Sequence, residues 1–286
     1  FGSRLKASSG LASTVCQFLQ HNHDIMLARR SVAAIRHALP RPSPSRAIPG
    51  KVQFRWASSA SGKQIAVVLA GCGVYDGSEV HESVFVLSEV SKCGGSYQCF
   101  APDKPMMHVV DHTAGTEMPE ERNVLKESAR IARGAVKPLT ELSATGFDAI
   151  IFPGGFGAAK NLSDFATAGP SLTVEPETSR VLTEFKAAGK PIGLCCISPV
   201  VAAKVLGSGV ELTVGSDQES PEWPYAGAAG AINALGAKHV VKPLTEAHTD
   251  VDNKVVTSAA YMNNTQPIHE IEASVRAMVG GVVKLL

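Results

Sequence analysis

Cys196 closes Lys190-Pro191-Ile192-Gly193-Leu194-Cys195-Cys196, a short apolar strand that breaks into a helix near Pro199. A side chain at such a corner is pushed out of the packed sheet and faced by the first amides of the next helix, which favours a thiolate. The chemistry expected of it is nucleophilic. The competing reading is a pair of small buried core cysteines. Strand alternation turns Cys195 to the opposite side from Cys196, so Cys195 is read as core; for Cys196 the residues leave both readings open. Two further stretches share this kind of corner. Ser78 is a reasonable N-cap after the loop Gly71-Cys72-Gly73-Val74-Tyr75-Asp76-Gly77, which puts Glu79 in a first helical turn, as a dipole complement or as an acid or base on the sheet's rim. Pro153-Gly154-Gly155-Phe156-Gly157 follows an apolar run, and its glycines can take positive φ and turn amides toward an anion or oxyanion; the plainer reading is a tight loop.

The elements that must hold these residues alternate. Strands are expected at 63–70, 96–101, 147–152, 190–196 and 210–214. Lys238 to Val241 reads as a further strand, and Ala247 to Val251 with Lys254 to Ser258 as a hairpin through Asp252-Asn253. Helices are expected from Ser78, with Val80, Val84, Leu87 and Val90 inward and a Gly94-Gly95 stop, and over 123–133, 176–188, 199–206, up to Leu235, and from about Thr265 to the end. This alternation predicts one doubly wound α/β domain, with each candidate residue at a strand's carboxyl end.

The 286 residues, 44% of them hydrophobic, suffice for one large core or two modest ones. The formal charge of +1 hides two unlike parts. Of 27 basic and 26 acidic residues, residues 1–60 hold nine basic and one acidic, Asp24, leaving an acidic body of 18 against 25. That Ser-, Ala- and Arg-rich leader, ending in Pro40-Arg41-Pro42-Ser43-Pro44, fits an organelle transit peptide and linker, with Arg55-Trp56-Ala57-Ser58 as a processing point. A secretory signal would need a continuous apolar stretch, and a nucleic-acid arm would carry interleaved aromatics on a basic body. The longest apolar run, Ile65 to Ala70, is far too short to span a bilayer, so no membrane or nucleic-acid partner is expected. Six cysteines at irregular spacing, without a CxxC pair, point to a reducing compartment and away from structural zinc.

Other motifs carry less. Gly71 to Gly77 is GxGxxxG, and Asp76 would repel a pyrophosphate, so a dinucleotide is not expected and no cofactor is assigned. His108, Asp111 and His112 lie in an irregular segment without a third or fourth ligand at helical spacing.

Gly77-Ser78-Glu79, then 153–162, then Gly193-Leu194-Cys195-Cys196-Ile197-Ser198-Pro199 resemble, in order and separation, the class I glutamine amidotransferase-like (PfpI) superfamily, and within it the ElbB-like proteins and their mitochondrial counterpart. Gly73-Val74-Tyr75-Asp76-Gly77, Phe100-Ala101-Pro102-Asp103, Arg122-Asn123-Val124-Leu125 and Trp223-Pro224-Tyr225-Ala226-Gly227 extend the likeness over roughly Lys63 to Leu286. The resemblance implies a flavodoxin-like sandwich over 61–286, a nucleophilic Cys196, a neighbouring carboxylate Glu79, and amides near Gly154, Gly155 and Ile197 lining an oxyanion site. It also implies a mitochondrial, matrix location and a homodimer.

A glutaminase needs a histidine to take the thiol proton. His248-Thr249-Asp250 falls in the expected hairpin and reads as coincidence, and the superfamily's other histidine position reads Gly215-Ser216-Asp217. A Cys/Glu pair without that histidine suits cofactor-independent glyoxalase chemistry on small aldehydes, the activity that ElbB-like proteins suggest by similarity. The alternatives are a redox-responsive protein whose Cys196 is oxidised to a sulfinate, and an interaction module on a decayed enzyme fold, with Trp223 and Tyr225 plugging the cleft.

Overall fold

The structure is a computed structural model and describes residues 60–286; the expected transit peptide and linker lie outside the described residues. Strand β1 (Gln64–Val68) starts the sheet and is wholly buried beyond Gln64. In chain order there follow β2 (Ser96–Ala101), β3 (Val110–Asp111), β4 (Thr116–Glu117), β5 (Val136–Pro138), β6 (Ala149–Phe152), β7 (Ile192–Cys195), β8 (Glu211–Leu212), β9 (Lys238–His239), β10 (Ala247–Asp250) and β11 (Val255–Ser258). Seven of them form one sheet in the order β10-β11-β7-β6-β1-β2-β5. Every pairing in it is parallel except β10 with β11. β3 with β4 and β8 with β9 make separate two-stranded ladders.

The helices are α1 (Val80–Lys92), α2 (Val124–Ile131), α3 (Phe156–Lys160), α4 (Phe165–Ala168), α5 (Pro176–Ala187), α6 (Pro199–Leu206), α7 (Gly227–Ala234) and α8 (Ile268–Lys284). α1 and α8 pack side by side on one face, α8 lying across β7, β10 and β11, while α5 and α6 pack together on the other. That division follows from right-handed crossovers, since strand order reverses between β1–β2 and β6–β7. The reversal puts the carboxyl ends of β1, β6 and β7 side by side, where open α/β sheets form their clefts.

Several expectations shift. The edge strand β5 was not foreseen; it is three residues long and ends in a proline, which an edge tolerates because one side of it needs no ladder donor. The inward face of α1 is the expected one only in part: Leu87 and Val90 face in as expected. Glu82, Val86, Leu87, Glu89 and Val90 are buried, whereas Val80 and Val84 are 38% and 48% exposed. The cap of α1 is also one residue later than expected: Glu79 takes that place, and Ser78 Oγ instead accepts the Ala70 N–H at 2.8 Å. The 247–258 hairpin forms as an antiparallel pair.

Gly193 shows how closely α8 lies on the sheet. A β-carbon there would come within 2.7 Å of Met278 Sδ and 2.8 Å of a Val282 methyl. Gly193→Val is therefore expected to cost about 1–3 kcal/mol of stability by overpacking, read as a lowered denaturation midpoint with the same denaturant slope.

Candidate active site

Two glycine loops build the floor of the site by locking onto one another. Glu79 N–H donates to Gly154 O at 2.9 Å, Phe156 N–H to Val74 O at 2.8 Å and Gly157 N–H to Gly77 O at 2.8 Å. The approach is so close that a β-carbon on Gly155 would lie 2.3 Å from Glu79 N, and Gly155 itself sits at φ +96°. Buried Asn161 ties in a third loop: its amide nitrogen donates to Ala70 O and Asp76 O, both at 2.8 Å, and its oxygen accepts from Met107 N at 3.0 Å. Asp76 is turned inward, accepting the Val110 N–H at 2.8 Å, so the glycine loop carries a buried carboxylate where a dinucleotide would need its phosphates.

Cys196 follows β7 with φ +59°, a left-handed conformation that non-glycine residues rarely adopt. This turn breaks strand alternation, and so the expected separation of the two cysteines does not hold. Both sulfurs approach one carboxyl group, that of Glu82. Cys195 Sγ lies 3.8 Å from Glu82 Oε2, and Cys196 is hydrogen-bonded to the same side chain. Cys195 is fully enclosed, while Cys196, 8% exposed, opens onto a cavity. The amides of Gly155 and Ile197 are directed at the Cys196 sulfur, and that of Gly154 donates to Glu82 Oε2 at 2.9 Å. Of the three amides expected around an oxyanion, two thus face the sulfur and the third holds its acid. Ser198 clamps the corner: its hydroxyl accepts the Cys195 N–H at 3.1 Å and lies 3.0 Å from Phe152 O.

Glu79, the acid expected beside the thiol, lines the cavity, but one oxygen serves as the α1 N-cap, accepting the Glu82 N–H at 2.7 Å. Its other oxygen lies 3.7 Å from His81 Nδ1. The position beneath the sulfur belongs to Glu82, which sequence reasoning missed. The signal was there: Glu82 shares a helical face with Val86 and Val90, where an acid has no reason to be unless it is used. His81 was also missed. It lines the same cavity, with Nδ1 2.8 Å from Tyr261 Oη. The other described histidines do not line this cavity. His248, on β10, stands 3.1 Å from Glu211 of β8, and His112 accepts the Tyr75 N–H while its ring stacks obliquely on Tyr75. Among the described residues no group of three or more His, Cys, Asp or Glu is placed to hold a metal ion.

The electrostatics reverse one expectation. Burial pushes the Cys196 thiol well above its ordinary value, and the Glu82 charge adds to this; the Gly155 and Ile197 amides pull the other way and are outweighed. Cys196 therefore rests as a thiol. Burial first, and the neighbouring Glu79 second, push Glu82 up to about 8, so it carries its proton at neutral pH. Burial also raises Glu79, against the pull of its amide contacts and of His81.

The cavity measures about 260 Å³. Tyr75, Phe156, Tyr225 and Tyr261 wall it, with the Phe156 and Tyr225 rings edge to face at 6.4 Å. Trp223 does not plug it. That ring lies over Gly215, where a β-carbon would be 2.1 Å from it, so the 221–225 insertion contributes a wall through Tyr225 rather than a stopper.

Known proteins resemble this chain. The human mitochondrial glutamine amidotransferase-like class 1 domain-containing protein 3 is 58% identical over 224 residues, covering 78% of this chain and 83% of that one. The chain belongs to that ES1-type family. The zebrafish mitochondrial ES1 protein is 36% identical over 231 residues, covering 77% of this chain and 85% of its own. ES1-type relatives are mitochondrial, and so is this chain. No family model matches it. Among solved structures, an isoprenoid biosynthesis protein with amidotransferase-like domain from Ehrlichia chaffeensis superposes with a TM-score of 0.71 at 35% identity, over 78% of this chain and 99% of that one. A 24 kDa Francisella tularensis rapid encystment protein, at 14% identity and a TM-score of 0.51, shares the fold alone.

Two outcomes test the geometry. A group whose folded pKa is raised contributes stability that is complete below its unfolded value and lost as pH rises through the folded one. For Glu82 that window runs from about 4.5 to about 8, and Glu82→Gln should flatten the fall in stability that wild type shows across it in denaturant melts at stepped pH. Gly154→Ala would put a β-carbon 2.3 Å from Cys196 Cβ and 2.6 Å from Glu82 Oε2. It is expected to displace the thiol, seen as a changed rate of Cys196 alkylation.

Proposed function

We propose that the protein is a cofactor-independent glyoxalase acting on small reactive aldehydes in the mitochondrial matrix, as a homodimer. The observation that carries the reading is a cavity-facing thiol with two amides on its sulfur and a protonatable buried acid, Glu82, bonded to it. Ionised Glu82 takes the Cys196 proton, and sulfur adds to the aldehyde carbon to form a hemithioacetal, whose new oxygen takes up that proton. The amides of Gly155 and Ile197 steady the oxygen while it is charged. A carbon-bound proton then leaves the sulfur-bearing carbon and is returned to the neighbouring carbonyl carbon, while the hydroxyl proton of the first carbon passes to the oxygen of the second, giving the thioester of a hydroxy acid. Glu79, which lines the cavity with a raised affinity for protons, carries the carbon-bound proton, and His81 stands beside it. Water cleaves the thioester, releases the hydroxy acid and restores the thiol. The sum is one water added to an oxoaldehyde, with no oxidant or reductant.

The redox-responsive alternative is less well supported. Sensor cysteines are exposed and easily ionised, whereas Cys196 is buried with its pKa raised.

Glycolate formation from glyoxal should vanish in Cys196→Ala and fall on the order of 10²–10⁴-fold in Glu82→Gln. Because Glu82 acts as a base only once ionised, wild-type turnover should climb with pH through about 8, and Glu82→Gln should lose that inflection. Cys196-independent glycolate production, or a profile flat through this range, would sink the proposal.

A further inference from the structure

The geometry points to a substrate larger and less polar than glyoxal: an uncharged α-oxoaldehyde carrying an aromatic or similarly bulky apolar group. This rests on the glyoxalase reading and narrows its substrate class. Volume is the first argument. A cavity of about 150 Å³ lined by Leu, Ile and Phe accommodates benzene, so one of about 260 Å³ has room for a ring together with a two-carbon reactive end over Cys196. Glyoxal, with four heavy atoms, would leave most of that space to water and could touch few of the walls.

The walls are the second argument. Phe156 and Tyr225 meet edge to face, the arrangement by which aromatic rings attract, and both line the cavity together with the apolar Val74, Met262 and Ile197. Burying apolar substrate surface against them would contribute roughly 25 cal/mol per Å², a source of affinity that glyoxal cannot use. The lining also holds polar groups, in Glu79, Asn264 and the hydrogen-bonded pair His81 and Tyr261, that can meet carbonyl oxygens.

Charge is the third. Among the described residues lining the cavity there is no Lys or Arg, while Glu79 faces it and Glu82 lies below. Lys160, the nearby cation, is buried behind the wall, its Nζ donating to Tyr75 O at 2.9 Å and lying 5.9 Å from the Phe156 ring centre. A carboxylate-bearing substrate would meet the Glu79 carboxyl and, among the described lining residues, no Lys or Arg to pair with, and so is selected against.

The test compares glyoxal, methylglyoxal and phenylglyoxal as substrates of the folded protein. The readout is glycolate, lactate and mandelate by chromatography, with Cys196→Ser as the background for each. A kcat/KM for phenylglyoxal at least tenfold above that for glyoxal is expected, with Tyr225→Ala driving the ratio toward one. Glyoxal processed as well as phenylglyoxal, or a ratio insensitive to Tyr225→Ala, overturns the inference and leaves the glyoxalase reading standing. A second measurement does not need turnover: acetophenone, a neutral aryl ketone, should slow alkylation of Cys196 by iodoacetamide more than acetone or benzoate does. If none of the three aldehydes is consumed in a Cys196-dependent way, the glyoxalase reading fails, and protection by acetophenone alone still supports a neutral aryl site. Equal protection by benzoate or acetone rejects that site too.

Discussion

A single buried carboxyl group organises this molecule's site. Glu82 has no exposure, and its two oxygens are met by three different parts of the chain: the Gly154 amide from the β6–α3 loop, the Tyr261 amide from the segment after β11, and the cysteines at the end of β7. A charge enclosed in this way would be costly, and the protein avoids it by keeping the proton on. The same proton links the acid to the thiol, so neither group has an independent titration: whatever ionises one reshapes the other. The glycines at 154 and 155 follow from this. Only backbone without β-carbons can come close enough to hold the acid from one side and face the sulfur from the other.

The helices are subordinate to that arrangement. α1 must enter with Glu79 as its cap so that, one turn on, Glu82 points into the sheet's cleft. α8 must lie flat on Gly193 so that the turn before it delivers the Tyr261 amide. Their shared flank is closed by charge as well as packing, with Lys92 and Arg276 converging on Glu89 and Glu272.

Much of this was legible from residues alone. The strands β1 and β6 lie in apolar runs that end at Gly71 and Pro153, and the Cys196 corner and the 153–157 turn stood out as abrupt changes from apolar strand to turn-forming residues. Glu79 was singled out by its place in a first turn, and the structure shows what that place does: it caps. Glu82 was not found because helical periodicity was counted on valines, and Val80 and Val84 proved to be the exposed pair. Periodicity ranks faces by hydrophobicity, and a functional acid lowers the score of the face that is buried. The thiol's ionisation was misjudged for a related reason. Amides at a helix start are visible in sequence, but the burial and the second carboxylate that outweigh them are tertiary facts. Tyr225 as a cavity wall, and β5 as an edge, likewise depend on contacts far apart in the chain.

The left-handed backbone at Cys196 carries an evolutionary consequence. Holding a side chain at φ +59° costs of the order of 1–3 kcal/mol, and glycine would relieve it without loss of the turn. At this codon, robustness and reactivity are therefore opposed. A lineage selected only to withstand heat would drift to glycine here and lose its sulfur, so a cysteine persists at this corner only where the sulfur is itself under selection.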